Sequence, residues 1–119
     1  MPRCRGRARR KSGRQCPYCG TQMAITSRLY HPTRDHLIPR KDGGNVCIIV
    51  CFSCNNLKAD TPLEDWLLFM LEHRPKQLLN TMRAISAVRH ALTVPADSRL
   101  QAVFNRLRDE IPGMKIFSF

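Results

Sequence analysis

No stretch of this 119-residue sequence approaches the roughly 18 uninterrupted apolar residues that a membrane-spanning helix requires, and the longest candidate, residues 66–71, is far too short. The basic N-terminus runs into Gln15, Cys16 and Pro17 instead of an apolar segment, so it does not read as a secretory signal. A cytoplasmic protein with no membrane partner is expected. In that reducing setting the six cysteines are expected to be metal ligands and buried thiols rather than disulfides. There is no internal repeat, and the length is one domain's worth of chain, enough for a modest core with extensions.

Acidic residues are also scarce, nine against 20 Lys and Arg, for a net charge of +11. The imbalance is local. Residues 1–14 carry seven positive charges and no negative one, residues 15–58 carry five and two, and residues 59–119 carry eight and seven. Six Arg, one Lys and two Gly with almost nothing apolar make residues 1–14 a flexible basic arm, and the skew suggests a polyanionic partner, nucleic acid first. Cys4 lies in this arm outside any recognisable pair.

At Cys16 the composition changes. Cys16-Pro-Tyr-Cys19-Gly20 has the form of a tight turn presenting two thiolates, and Cys51-Phe-Ser-Cys54 repeats that spacing after 31 intervening residues. Together the pairs can close a tetrahedral tetrathiolate zinc site, structural because no coordination position is left open. Cys47 shares a strand face with Ile49 and Cys51 by the two-residue period and is expected to be a buried small hydrophobe.

Between and around the pairs, residues 21–30 contain alternating and β-branched residues that suggest a short strand, interrupted by Pro32. Residues 33–38 form a second extended run stopped by Pro39, residues 40–44 read as a loop, and residues 46–50 return as the partner strand. Asn55 and Lys58 then share a face of a short helix.

Thr61-Pro62-Leu63-Glu64 has capping-box spacing for a helix whose apolar face is Leu63, Trp66, Leu67 and Met70, ending near Arg74. Pro75 can open a second helix along Leu78, Met82, Ile85 and Leu92, and Asp97 or Ser98 can cap a third carrying Leu100, Val103, Phe104, Leu107 and Ile111. Residues 114–119 are apolar and receive no element.

Asp35-His36 pairs a hard carboxylate with an imidazole that titrates near neutrality and can deprotonate water. Taken with Thr33-Arg-Asp-His-Leu-Ile-Pro39, Gly43-Gly44-Asn45 and Cys51-x-x-Cys54-Asn55-x-x-Lys58, the stretch 16–58 resembles the HNH endonuclease family. The resemblance implies a ββα-metal motif in residues 15–60, pinned by the four-cysteine zinc site; with the three helices that periodicity gives in residues 61–119, the expected fold class is α+β.

The resemblance also implies roles. His36 would be the general base, Asp35 and Asn55 the ligands of a catalytic divalent ion, and Asn45 would hold the hairpin loop and orient His36. A carboxylate and an amide oxygen suit Mg²⁺ or Mn²⁺, whereas thiolates suit Zn²⁺, so two separate metal sites are expected. Lys58, Arg34, Arg40 and Lys41 are the basic residues placed to bind phosphate. The implied activity is hydrolysis of DNA phosphodiester bonds, one strand per site, with a homodimer as one route to cutting both. Small proteins of this kind within the family occur in bacterial, phage and prophage settings.

Neighbouring strand residues point to opposite faces, so Asp35 and His36 can converge on one phosphate only if the strand ends or distorts there. A zinc-ribbon-like module that binds nucleic acid without cutting it needs the same cysteines and charge, and a zinc-scaffolded protein-interaction domain is a third reading. Neither has a use for Asp35, His36 and Asn55 together.

Overall fold

The computed structural model describes residues 11–37, 46–87, 92–95, 97–114 and 116–118. The expectations for most of the basic arm, Cys4, Pro39, Arg40, Lys41 and Asn45 fall outside the described residues.

Strand β1, Pro32–His36, pairs antiparallel with β2, Cys47–Cys51, in a register that sets Asp35 opposite Ile48 and Thr33 opposite Val50. Alternation along β2 turns Ile48 and Val50 into the core and leaves Cys47 and Ile49 half-buried, so Cys47 is less enclosed than expected. Pro32 does not interrupt a strand but opens one, at the first position where a missing N–H is tolerated. The strand expected in residues 21–30 reduces to a single bridge between Gln15 and Gln22, followed by a turn-rich loop.

Helix α1, Phe52–Lys58, follows β2 without a break, and Cys51 is its N-cap, the thiol accepting from the Cys54 amide at 3.4 Å. Ala59 closes the helix at φ 47°, the only described non-glycine residue with positive φ. Helix α2, Leu63–His73, buries Leu63, Trp66, Leu67 and Met70 as the periodicity predicts. Its expected capping box is absent. Pro62, not Thr61, occupies the N-cap, which moves Glu64 one position too early to close the box; Glu64 and Asp65 instead place negative charge on the first turn.

A 3₁₀ turn at Pro75–Gln77 leads into α3, Leu78–Ser86, which stops six residues before Leu92. Leu92 belongs to a strand, β3, Leu92–Val94. After α4, Ser98–Glu110, capped by the Asp97 carboxylate at 3.0 Å from the Arg99 and Leu100 amides, the apolar tail returns as β4, Ile116–Ser118, parallel to β3. The helix predicted through Leu92 fails because Leu92 and Val94 are buried at period two and Ile116 is opposite, a partner that local periodicity cannot reveal.

One core unites both halves of the chain, running from Cys16, Tyr18 and Val50 through Trp66 and Met82 to Phe104 and Ile116. Ile116 is fully buried. Replacing it with Ala should cost about 2–5 kcal/mol in urea unfolding. A loss below about 1 kcal/mol would mean that the β3–β4 pair is not part of the cooperative core.

Candidate metal centre and hydrolytic site

The first turn is folded by its own backbone. Cys16 accepts from the Gly20 amide and donates to Thr21, both at 2.8 Å, and Gly20 takes φ 79°, where a side chain is disfavoured. A Cβ at Gly20 would lie 2.9 Å from Gln77 Nε2. The turn is therefore closed against the helical half.

The four thiols of Cys16, Cys19, Cys51 and Cys54 lie within 4.8 Å of one another, and Cys19 Sγ stands 3.8 Å from Cys51 Sγ. A tetrahedral zinc–thiolate centre with bonds of about 2.3 Å has S···S edges of roughly 3.8 Å, so the donor set fits Zn²⁺. Amide groups already point at the sulfurs: Tyr18 and Cys51 donate to Cys16 Sγ and Cys54 donates to Cys51 Sγ, each at 3.4 Å.

Without a cation the thiols share protons unequally. A hydrogen bond from Cys54, reinforced by backbone donors, lowers Cys16 to about 5. Burial raises Cys51 to about 11, and Cys54 is raised by its bond to Cys16 and by burial. A dication would let all four ionise, with proton release.

Outside the sulfurs stand residues that the sequence did not single out. Arg74 donates from Nη1 to Cys54 Sγ at 3.4 Å and to the Tyr18 carbonyl at 3.2 Å, and Thr81 donates to the Pro17 carbonyl at 2.6 Å. Tyr18 meets the Trp66 ring edge-on at 5.1 Å. Thus α2, its C-cap and α3 grip the knuckle directly. No sequence signal identified Arg74, a helix-end arginine 20 residues from the sulfur it contacts.

Asp35 is buried on the inner face of β1. Its Oδ2 accepts from the Tyr18 hydroxyl at 2.5 Å and its Oδ1 from Lys58 Nζ at 3.2 Å. Lys58, 1% exposed, also donates to the His36 carbonyl at 3.2 Å. It thus lies in an internal ion pair and not on the phosphate-facing surface expected for it. Burial raises the Asp35 carboxyl despite opposing contributions from Lys58 and Tyr18, and burial followed by the Asp35 charge raises Tyr18.

Asn55 lies one turn before Lys58, and its Nδ2 donates to Thr33 Oγ1 at 3.0 Å and to the Arg34 carbonyl at 2.9 Å. Asn55 and Lys58 thereby stitch α1 along β1. Asp35 and His36 occupy the last two positions of that strand in regular register, with His36 half-buried and Arg34 exposed. The structure therefore gathers Asp35, His36, Asn55 and Lys58 at one strand–helix junction beside the thiols.

Residues 16–61 match the HNH endonuclease family model. Within this matched segment the four cysteines and the β1–β2–α1 order occupy one continuous stretch. No curated protein and no solved structure gives a significant match to the chain. Among the described residues no helix is long and apolar enough to cross a membrane.

Two outcomes follow from the geometry of the matched segment. The purified protein should carry one zinc per chain by elemental analysis, lose it to chelator or on acidification as protons reclaim the sulfurs, and melt lower without it. Cys16→Ser should reproduce that loss; unchanged zinc content and melting would refute the four-thiol assignment.

Lys58→Met should cost about 3–5 kcal/mol at neutral pH by leaving the Asp35 carboxylate buried and unpaired. Because the folded-state pKa of Asp35 is raised, its ionised form is a cost above that pKa. The penalty should shrink as pH falls through the folded pKa, and Asp35→Asn should relieve much of it, both read from urea midpoints.

Proposed function

We propose that this protein is a metal-dependent nuclease that hydrolyses DNA phosphodiester bonds. What supports this reading is that Asp35 and His36 are the last two residues of β1 and that Asn55 of the adjoining helix is bonded to that strand at Thr33 and Arg34, inside a segment matching HNH endonucleases. The basic composition supports a polyanionic substrate.

His36 takes the proton from the attacking water. The new bond forms between that oxygen and phosphorus while the P–O3′ bond breaks, and the departing 3′ oxygen takes a proton from water, leaving a 5′-phosphate and a 3′-hydroxyl. Asp35 and Asn55 are the protein donors for Mg²⁺ or Mn²⁺, which when bound supplies charge stabilisation for the phosphate and the leaving oxygen.

The donor types suit such an ion. Asn55 uses its amide nitrogen on β1, leaving its oxygen as the acceptor for this role. Asp35 is buried in the resting arrangement with one donor on each oxygen, and ligation in this reading goes with exchange of the Lys58 contact. That exchange frees the ammonium beside the site for phosphate. Asn45 keeps its role of orienting His36, and Arg34, Arg40 and Lys41 hold the DNA backbone. A single site cuts one strand, and a homodimer would cut both.

The engaged, buried Asp35 favours one competing reading, a non-catalytic zinc module that binds nucleic acid and uses Asp35 and Lys58 only as a structural pair. Plasmid DNA with Mg²⁺ or Mn²⁺ separates the two. The parent should nick supercoiled plasmid, and His36→Ala should be slower by about 10²-fold or more while retaining zinc and fold. Equal cutting by both would remove His36 from its role, and no cutting by either with any metal would favour the binding module.

A further inference from the structure

The loop before β1 has a firm backbone and an apolar exterior. Ala24 N donates to the Tyr30 carbonyl at 3.2 Å across its neck, Ser27 N donates to the Ala24 carbonyl at 2.9 Å, and Tyr30 N donates to Ser27 Oγ at 3.0 Å. At its end His31 engages the carbonyls of Ser27 and Arg28 and stacks on Phe52 with ring centroids 4.7 Å apart. The Ser53 and Phe52 amides donate to the Leu29 and His31 carbonyls at 2.8 and 2.9 Å, which fastens the loop to the start of α1.

Despite this bracing, Ile25, Leu29 and Tyr30 are 48%, 55% and 37% exposed. Single exposed apolar residues are ordinary, but three on a seven-residue loop braced by these hydrogen bonds require a reason. The charge of the chain up to this loop and on to Arg34 is of one sign. No Asp or Glu occurs before the buried Asp35, whereas Lys11, Arg14, Arg28 and Arg34 are all exposed. Ser12 and Gly13, which lie between the first two of these in sequence, are bonded to the loop and its approach: Ile25 N donates to Ser12 Oγ at 3.3 Å and Gly13 N to the Met23 carbonyl at 2.7 Å.

This run of basic residues, with no acidic residue before Asp35 in the sequence, opposes docking of a second copy through the same stretch and complements a polyanion. Apolar and aromatic side chains projecting from a cationic surface suit nucleobases, which accept wedges between steps and stack on aromatic rings.

We propose that the loop at residues 24–30 is a DNA-contacting wedge, with Leu29 and Tyr30 meeting bases and Arg28 neutralising a phosphate. This deepens the nuclease reading and rests on its choice of DNA. From His31 to His36 the strand advances about 17 Å, or roughly five base-pair steps, so the wedge engages DNA flanking the cut and not the scissile phosphate itself.

The test uses full-length zinc-loaded protein in the His36→Ala background, a labelled duplex and a salt titration. Leu29→Ala/Tyr30→Ala should raise Kd about tenfold or more with the salt slope unchanged, and should remove the fluorescence change of 2-aminopurine placed about five base pairs from the cut. Arg28→Ala should instead reduce the slope of log K against log salt by about one. Zinc content and melting temperature serve as fold controls, and if the double variant loses zinc the two single variants give the same reading.

A Kd within twofold of the parent for both variants overturns the wedge. So does an effect confined to anionic vesicles or to the sedimentation of the free protein. If the parent binds DNA in a loop-dependent way but never cuts, the nuclease reading falls and the wedge stands; if it cuts and the loop variants bind as the parent does, the reverse holds.

Discussion

Four sulfur atoms from two turns, brought within 4.8 Å of one another across 31 intervening residues, are the constraint on which the rest of this structure depends. Crowded thiols have little attraction for one another; a dication that ionises all four converts the crowding into bonding. Cys51 shows how much rides on the closure, for it ends β2, caps α1 and contributes one of the four sulfurs. Displacing it would disturb the strand, the helix and the metal site together.

The second consequence runs through Tyr18, which lies between two of those cysteines and donates to Asp35. A knuckle held shut keeps the tyrosine hydroxyl inside, the hydroxyl and Lys58 hold the carboxylate, and the carboxylate precedes His36 on the strand. The cluster of thiols and the Asp35–His36 strand end are distinct in chemistry yet are linked through one side chain, Tyr18. Arg74 and Thr81 extend that link into the helical half, which braces the knuckle from behind.

Burying Asp35 and Lys58 together is costly in solvation, and replacing such pairs with apolar groups is often stabilising. Here the pair sits at the strand–helix junction with Asn55 one turn away. Under the nuclease reading its retention has a use, because the same two residues serve the ion and the phosphate once exchanged.

Local pattern was enough for a good part of the molecule. Two Cys-x-x-Cys turns announce a tetrathiolate, the β-branched run in residues 46–50 gives β2, period 3.6 gives the buried face of α2, and Asp97 or Ser98 before an amphipathic stretch gives the start of α4, where Asp97 is the cap. Each depends on residues close in sequence. Tertiary structure alone decided the rest: that Leu92 leaves its helical row to pair beside Ile116, that Pro62 displaces the capping box, that Lys58 turns inward to Asp35 and that Arg74 reaches Cys54. Those outcomes depend on partners distant in sequence or on competition for a buried charge, and spacing along a chain contains neither distance through space nor the cost of leaving a carboxylate unpaired away from water.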